Sequence, residues 1–229
     1  MTEHDRDALL DAALLHVPFD GMNDRALMAG ARDLGLSEAD ARVMFPQGGA
    51  GLAAAYHRRH DAELRDWLAA YPPQGRFRDR VADAVWHRLS VVDPEIVRAG
   101  AAILALPNHA ALAARLVWET ADIIWTGLGD RSDDATWYTK RATLSGVISA
   151  TTLFWMGDES EAQGQTREFL DRRIEGVMRI ETLKSRLSKL PGAAMLGRAA
   201  FGWVRAPHAR DLPGHMAGQR AARTTTTTD

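Results

Sequence analysis

The chain has 229 residues, 46% of them hydrophobic and 25% charged, which is the composition of an ordinary soluble globular protein. A chain of this length can remove about 70% of its unfolded surface from water. Cysteine is absent, which excludes disulfides, thiolate metal sites and a cysteine nucleophile. The net charge of −2 gives no global attraction to nucleic acid or anionic lipid.

Apolar residues recur at three- and four-residue spacing, and the alternation that marks strands is missing, so an all-α fold of nine or ten helices is predicted. Leu9 to His16 reads as a first short helix, ended by the turn "VPFDG". Asn23 to Leu34 is a second, with Gly35 suited to a left-handed C-terminal position. Ser37 is placed to cap a third, with Asp40 where a capping box carries Glu or Gln. After the break "FPQGGAG", a long helix is expected from Leu52 to Tyr71, closed by Pro72 and Pro73. Val81, Val85, Leu89 and Val92 form the stripe of the next helix. Asp93 then caps a helix with Pro94 at its first position, where the missing N–H is harmless. Pro107 and Asn108 open a helix that ends near Gly127, and further helices are expected from Asp134 to Met156 and from Gly164 to Leu190. Pro191 and Gly192 stop the last of these. No run approaches the ~20 apolar residues of a membrane span, and "MTEHDRDALL" has no signal-peptide character.

Signatures of catalysis are missing: there is no GxxxxGK[ST], GxSxG or HExxH, and no glutamate has a histidine three residues on. "GLGDRS" lacks both a preceding strand and a third glycine. His57 and His60 share a helix face but have arginines between them and no third ligand nearby; they are read as solvent-exposed. Asp133 and Asp134 are read as loop and helix cap. Neither a catalytic nor a metal site is therefore expected, nor a cofactor.

The segment "ALMAGARDLGLSEADARVMFPQG" resembles the helix-turn-helix of TetR-type regulators. Its third helix opens Ser37-Glu38-Ala39-Asp40 and offers only Arg42 as a cation. Residues 1–60 carry nine acidic side chains against six arginines, a balance of −3 and the wrong sign for a duplex. The fold is expected without the nucleic-acid partner.

On the helix from Asp134, Leu144, Val147, Ile148, Thr151, Phe154 and Trp155 share one face. Extended backward, that face reaches Trp137, Lys140 and Arg141, so two cations interrupt an apolar stripe. The opening turns are expected to project beyond the core. The opposite face (Ala142, Ser145, Gly146, Ser149, Ala150) is small enough for a second helix to pack on. Lys140 and Arg141 either extend their charged ends to solvent while Trp137 caps the core edge, or belong to a surface that grips a partner.

The stretch from Trp118 to Ser160, followed by "TREFLDRRIEGV", resembles the ninth coenzyme Q biosynthesis protein family, the lipid-binding accessory proteins of ubiquinone synthesis. Gly129-Asp130, Asp134, Trp137-Tyr138-Thr139, Arg141, Asp158, Phe169-Leu170 and Arg173 carry the resemblance, which extends loosely over residues 8–190. It implies a TetR-like fold without DNA binding, an apolar pocket for isoprenoid quinone or phospholipid, and presentation of quinone intermediates to the di-iron demethoxyubiquinone hydroxylase. It also implies that Asp134, Trp137, Tyr138, Lys140 and Arg141 bind that partner. Trp118, Trp125, Leu144, Ile148 and Trp155 are the pocket candidates, with plain core packing as the alternative.

In "AAMLGRAAFGWVR", Leu196 and Trp203 share one side, Arg198 and Arg205 another, and Phe201 a margin. An amphipathic helix at a membrane surface fits this pattern, as does a strap on the protein's own core; the resemblance favours the membrane. The expected organisation is a degenerate helix-turn-helix bundle (1–50), a larger lipid-binding and docking bundle (51–190), the amphipathic helix (191–206) and a disordered tail (207–229). The expected function is non-enzymatic. Its place is the cytoplasmic face of a bacterial inner membrane, with a homodimer plausible; a TetR-like transcriptional regulator with a hydrophobic pocket is the alternative.

Overall fold

A computed structural model describes residues 3–133 and 135–187, with side chains described for 5–133 and 135–177. Among the described residues there are ten α-helices and no strand. They are α1 (Glu3–Leu14), α2 (Val17–Asp20), α3 (Asp24–Asp33), α4 (Glu38–Met44) and α5 (Gly48–Ala70), then α6 (Phe77–Ser90), α7 (Pro94–Leu104), α8 (Ala110–Gly127), α9 (Ala135–Trp155) and α10 (Gly164–Leu187). Single turns of 3-10 helix, Pro107–His109 and Glu161–Gln163, lead into α8 and α10.

The expected start signals act as caps. Ser37 accepts a hydrogen bond from the Asp40 N–H at 3.1 Å, and Asp93 accepts from the Glu95 N–H at 2.7 Å. Asn23 caps α3 by accepting from the Arg25 N–H at 2.8 Å. Gly35 follows α3 at φ +67°.

One boundary differs. The long helix begins at Gly48, so the expected break "FPQGGAG" contributes its glycines to a buried first turn. The reason is a close crossing: a Cβ at Gly49 would lie 2.2 Å from the Met22 carbonyl oxygen. Sequence periodicity reads such glycines as punctuation, whereas here they let two backbones touch.

Two apolar cores result, and α5 belongs to both. Leu9, Leu10, Leu27, Phe45 and Leu52 centre the N-terminal one. Leu64, Leu68, Val85, Ile124, Leu144 and Leu170 centre the larger one. Tyr56 packs against both, and its hydroxyl accepts the Asp93 N–H at 3.0 Å. The boundary expected at residue 50 thus falls inside α5, one rod that the two bundles share.

α4 turns Glu38, Ala39, Asp40, Arg42 and Val43 to solvent. Its one cation, Arg42, is paired with Glu38 at 3.2 Å. On α9 the small face at Ala142, Gly146 and Ser149 is exposed, so no second helix of the described chain covers it. The amphipathic helix expected at 191–206, the tail at 207–229 and the candidates Asp134, Leu196, Arg198, Phe201, Trp203 and Arg205 lie outside the described residues.

Two glycine replacements test this packing. Gly49→Ala forces a methyl group onto backbone and is expected to lower stability on the order of 2–3 kcal/mol in urea unfolding. Gly146→Ala adds its methyl where nothing lies within 4 Å. It is expected to raise stability by about 0.5–1 kcal/mol through helix propensity alone.

Candidate functional site: an ion-paired seam, an aromatic ledge and an apolar cavity

Arg141 does not project from the core. It is among the most buried side chains, 2% exposed, in the seam between α8 and α9. Its Nε donates to Asp122 at 2.5 Å, and its Nη1 donates to Asp130 at 3.1 Å and to the Trp137 carbonyl at 3.2 Å. The guanidinium lies 3.9 Å from the centre of the Trp137 ring. Lys140 is held alongside, its Nζ donating to Asp130 at 2.8 Å and to Ser132 at 2.6 Å. Burial alone would raise the Asp130 pKa, but hydrogen bonds from Lys140, Ser132 and Arg141 override it and bring the carboxyl down to about 2. The expectation that both cations stand clear of the core is corrected here, because each meets a carboxylate that the single-helix wheel could not show.

The aromatics divide around this tie. Trp137 is buried, while Tyr138 is 37% exposed and half-buried Trp118 from α8 lies beside it. Ring centres are 4.8 Å apart for Trp137–Tyr138 and 5.9 Å for Trp118–Trp137. Of the described partner candidates, Tyr138 therefore faces out, and Trp137, Lys140 and Arg141 stand behind it. At the far end of α9, Asp158 accepts from the Ser160 N–H and from the Thr166 N–H and hydroxyl, and these bonds bring its carboxyl down to about 2. Asp158 thus fastens the start of α10. Leu170 is in the core, and Phe169 stacks on Phe154 with centres 4.6 Å apart.

A cavity of about 310 Å³ lies where the two cores meet. α5 supplies Ala53, Tyr56 and His57, and α6 supplies Val85, Arg88 and Leu89. α7 supplies Val97, Ala101 and Leu104, α8 supplies Val117 and Thr120, and α9 supplies Ile148, Ser149 and Leu153. Among the described residues no single helix is long and apolar enough to cross a membrane; α7 and α8, apolar together, meet in a 98° elbow beside the cavity.

Of the five pocket candidates only Ile148 lines this cavity. Trp125 and Leu144 border a separate void of about 30 Å³, the scale of one water molecule. Trp155 is core, with its Nε1 donating to Gln163 at 2.7 Å, and Trp118 belongs to the ledge. Bulky aromatics fill space rather than leave it, so the cavity opens along smaller side chains of α7 instead.

The histidines also differ from expectation. His57 Nε2 lies 2.8 Å from the Thr120 hydroxyl and 3.4 Å from Asp61, and His60 bonds Glu63 at 2.7 Å. Asp61 is buried, pairs with Arg88 at 2.8 Å and accepts the Thr120 hydroxyl. Burial would push its carboxyl up, yet His57 and Arg88 hold it below the usual range. A signal existed: Asp61 shares a stripe with Leu64 and Leu68, and Thr120 one with Leu116 and Ile124. Among the described residues no three His, Asp or Glu side chains are grouped to hold a metal ion.

The seam makes a definite prediction. Asp130→Asn leaves Lys140 and Arg141 short of a carboxylate and is expected to cost on the order of 3 kcal/mol in urea unfolding at pH 7. Because Asp130 titrates lower folded than unfolded, its contribution is complete above pH 4 and is lost as pH falls from about 3.8 toward 2. The variant should therefore lose less stability than the parent across that window; an unchanged acid limb would contradict the assignment.

The COQ9 family model matches residues 110–181, which hold the seam, the ledge and part of the cavity wall. Ubiquinone biosynthesis protein COQ9, mitochondrial, of Drosophila melanogaster is 33% identical over 187 residues, covering 79% of this chain and 57% of that protein. The protein of the same description from Rattus norvegicus is 34% identical over 180 residues, covering 74% and 57%. The chain thus spans little more than half the length of these relatives. A TetR transcriptional regulator from Nitrosomonas europaea superposes with a TM-score of 0.59 at 21% identity, covering 76% of this chain and 97% of that one. In sequence the chain is similar to COQ9 proteins, and its helices form a TetR-like scaffold.

Proposed function

We propose that the chain is a non-enzymatic accessory protein of ubiquinone biosynthesis that holds an isoprenoid quinone intermediate and presents it to the di-iron demethoxyubiquinone hydroxylase at a membrane. The observation that carries this reading is the apolar cavity under the α7–α8 elbow of a chain similar to COQ9 proteins. Its volume lies at the small end of ligand pockets, and its lining is almost wholly hydrocarbon. The Tyr138–Trp118 ledge is the docking surface in this proposal. An exposed tyrosine beside a half-buried tryptophan, backed by a buried indole, has the composition of a binding hot spot. Membrane attachment draws on the sequence of 191–206, and the cytoplasmic face of a bacterial inner membrane is its proposed place.

The regulator reading shares the fold, but α4 argues against it. A recognition helix needs free cations for phosphates, and this one shows two acids and a paired arginine.

Native mass spectrometry with lipid extraction tests the pocket. Isoprenoid lipid is expected to accompany the purified protein, and Ser149→Trp at the exposed edge of the lining is expected to remove it without changing the melting temperature. Protein that is free of lipid under every extraction, or an electrophoretic shift of its own promoter DNA at moderate salt, would overturn the proposal. Docking separates two neighbours. Tyr138→Ala should weaken hydroxylase binding at unchanged stability, whereas Trp137→Ala should cost about 3 kcal/mol in folding as well. Full hydroxylase affinity in Tyr138→Ala would remove the ledge from the docking surface.

A further inference from the structure

The cavity is mostly apolar; Ser149 and Thr152 of α9 add hydroxyls, and on the α5–α6–α8 wall stands Arg88, the one Arg, Lys, Asp or Glu among its lining residues. Arg88 is 8% exposed and is engaged on two of its three nitrogens. Nε donates to Asp61 at 2.8 Å, and Nη2 donates to the His57 carbonyl at 3.0 Å. Nη1 makes no hydrogen bond among the described residues. Thr120 has a single proton to give. Its acceptors are the Asp61 oxygens at 3.0 and 3.1 Å and the Leu116 carbonyl at 3.2 Å, and whichever takes it leaves no proton for His57, so the His57 Nε2–H donates to Thr120 at 2.8 Å. Asp61, Thr120 and His57 thereby satisfy one another. The unused donor of the cluster is on Arg88.

We infer that Arg88 Nη1 is a recognition point inside the cavity for an uncharged oxygen acceptor, such as a ring carbonyl, on the polar head of an isoprenoid ligand. This rests on the lipid-pocket reading above and adds the chemistry and direction of the ligand. Charge selects the acceptor. Asp61 already balances the guanidinium, and the other basic side chain of that wall, His57, is engaged by Asp61 and Thr120, so a phosphate would find no cation free to offset its desolvation. A carbonyl oxygen sheds far less hydration and accepts a charge-assisted hydrogen bond from a donor that packing has already oriented. The head of the ligand then lies against the α5–α6–α8 wall, and its isoprenoid chain lies along the hydrocarbon side chains of α7 and α9.

The test uses the full chain and three probes: a ubiquinone with two isoprene units, an isoprenoid hydrocarbon of the same length, and the matching isoprenoid phosphate. Dissociation constants are measured by equilibrium dialysis. The quinone is expected to bind about tenfold more tightly than the hydrocarbon, the scale of one hydrogen bond to a charged group. Arg88→Lys keeps a cation for Asp61 but gives up the spare guanidinium N–H. It should bring that ratio close to one while hydrocarbon affinity stays unchanged. Should the lysine variant fold poorly, Arg88→Met combined with Asp61→Leu removes both charges together and is read in the same way. Equal binding of quinone and hydrocarbon by the parent, preference for the phosphate, or a variant that loses both ligands alike would overturn the inference. Binding of none of the three would instead remove the lipid pocket itself, and this inference with it.

Discussion

The guanidinium of Arg141 between the carboxylates of Asp122 and Asp130 is the contact on which the α8–α9 half of the molecule depends. Arginine cannot escape burial by losing its proton, so a 2% exposed guanidinium demands partners, and desolvation leaves it costly if one is missing. Asp122 comes from α8, Asp130 from the loop after it, and the cation from α9, so one side chain sets the register of two helices and their connection. Lys140 repeats the tie one residue earlier. Two carboxylates and two cations balance, and a balanced, hydrogen-bonded cluster tolerates burial where any single member would not. Ile148 and Ser149 lie about two turns further along the same helix. The seam therefore also fixes the α9 wall of the cavity.

The cavity follows from how α5 is used. A helix shared by two cores cannot let both close on the same stretch, and around Ala53 to His57 the N-terminal bundle and the larger bundle diverge. α7 spans that gap with small and medium side chains, and α8 meets α7 in a 98° elbow and lines the same gap. Apolar walls around unfilled space lose dispersion contacts that a packed core would have. A polar cluster at the same wall adds its own desolvation cost. Neither feature improves a purely structural protein.

Much of the helical framework was legible because caps act locally. Asn23, Ser37 and Asp93 act within their own first turns, and periodicity found the stripe from Val81 to Val92. The site was less legible because it depends on pairs from different helices. Arg141 on an apolar stripe looked like a cation leaving the core; only Asp122, flanked by Trp118 and Trp125 on the matching stripe of α8, shows why it stays. The same blindness hid Asp61, Arg88 and Thr120, each a polar residue on an otherwise apolar face. The pocket was sought among tryptophans because they are large and apolar. Size made them fillers: three of the four tryptophans at the seam, the ledge and the core end of α9 are buried. Asp130 and Asp158 were visible in the motif, but their work as a seam anchor and a helix fastener needed coordinates.

The seam also changes how a motif of Trp, Tyr, Lys and Arg should be read. A guanidinium with its Nε on one aspartate and its Nη1 on another has little left for a partner, and recruiting it would break bonds worth more in the interior than at a wet interface. Arg141 acts instead on the indole against which it packs, and Trp137 in turn sets the pose of Tyr138. Binding energy at protein surfaces concentrates on aromatic groups that lose little conformational freedom on contact. A tyrosine edge-on to an immobilised tryptophan has already given up much of that freedom in the free protein. In the proposed docking role the buried cations would act by stiffening the one exposed ring of the quartet, and the four residues form a single support rather than four contacts.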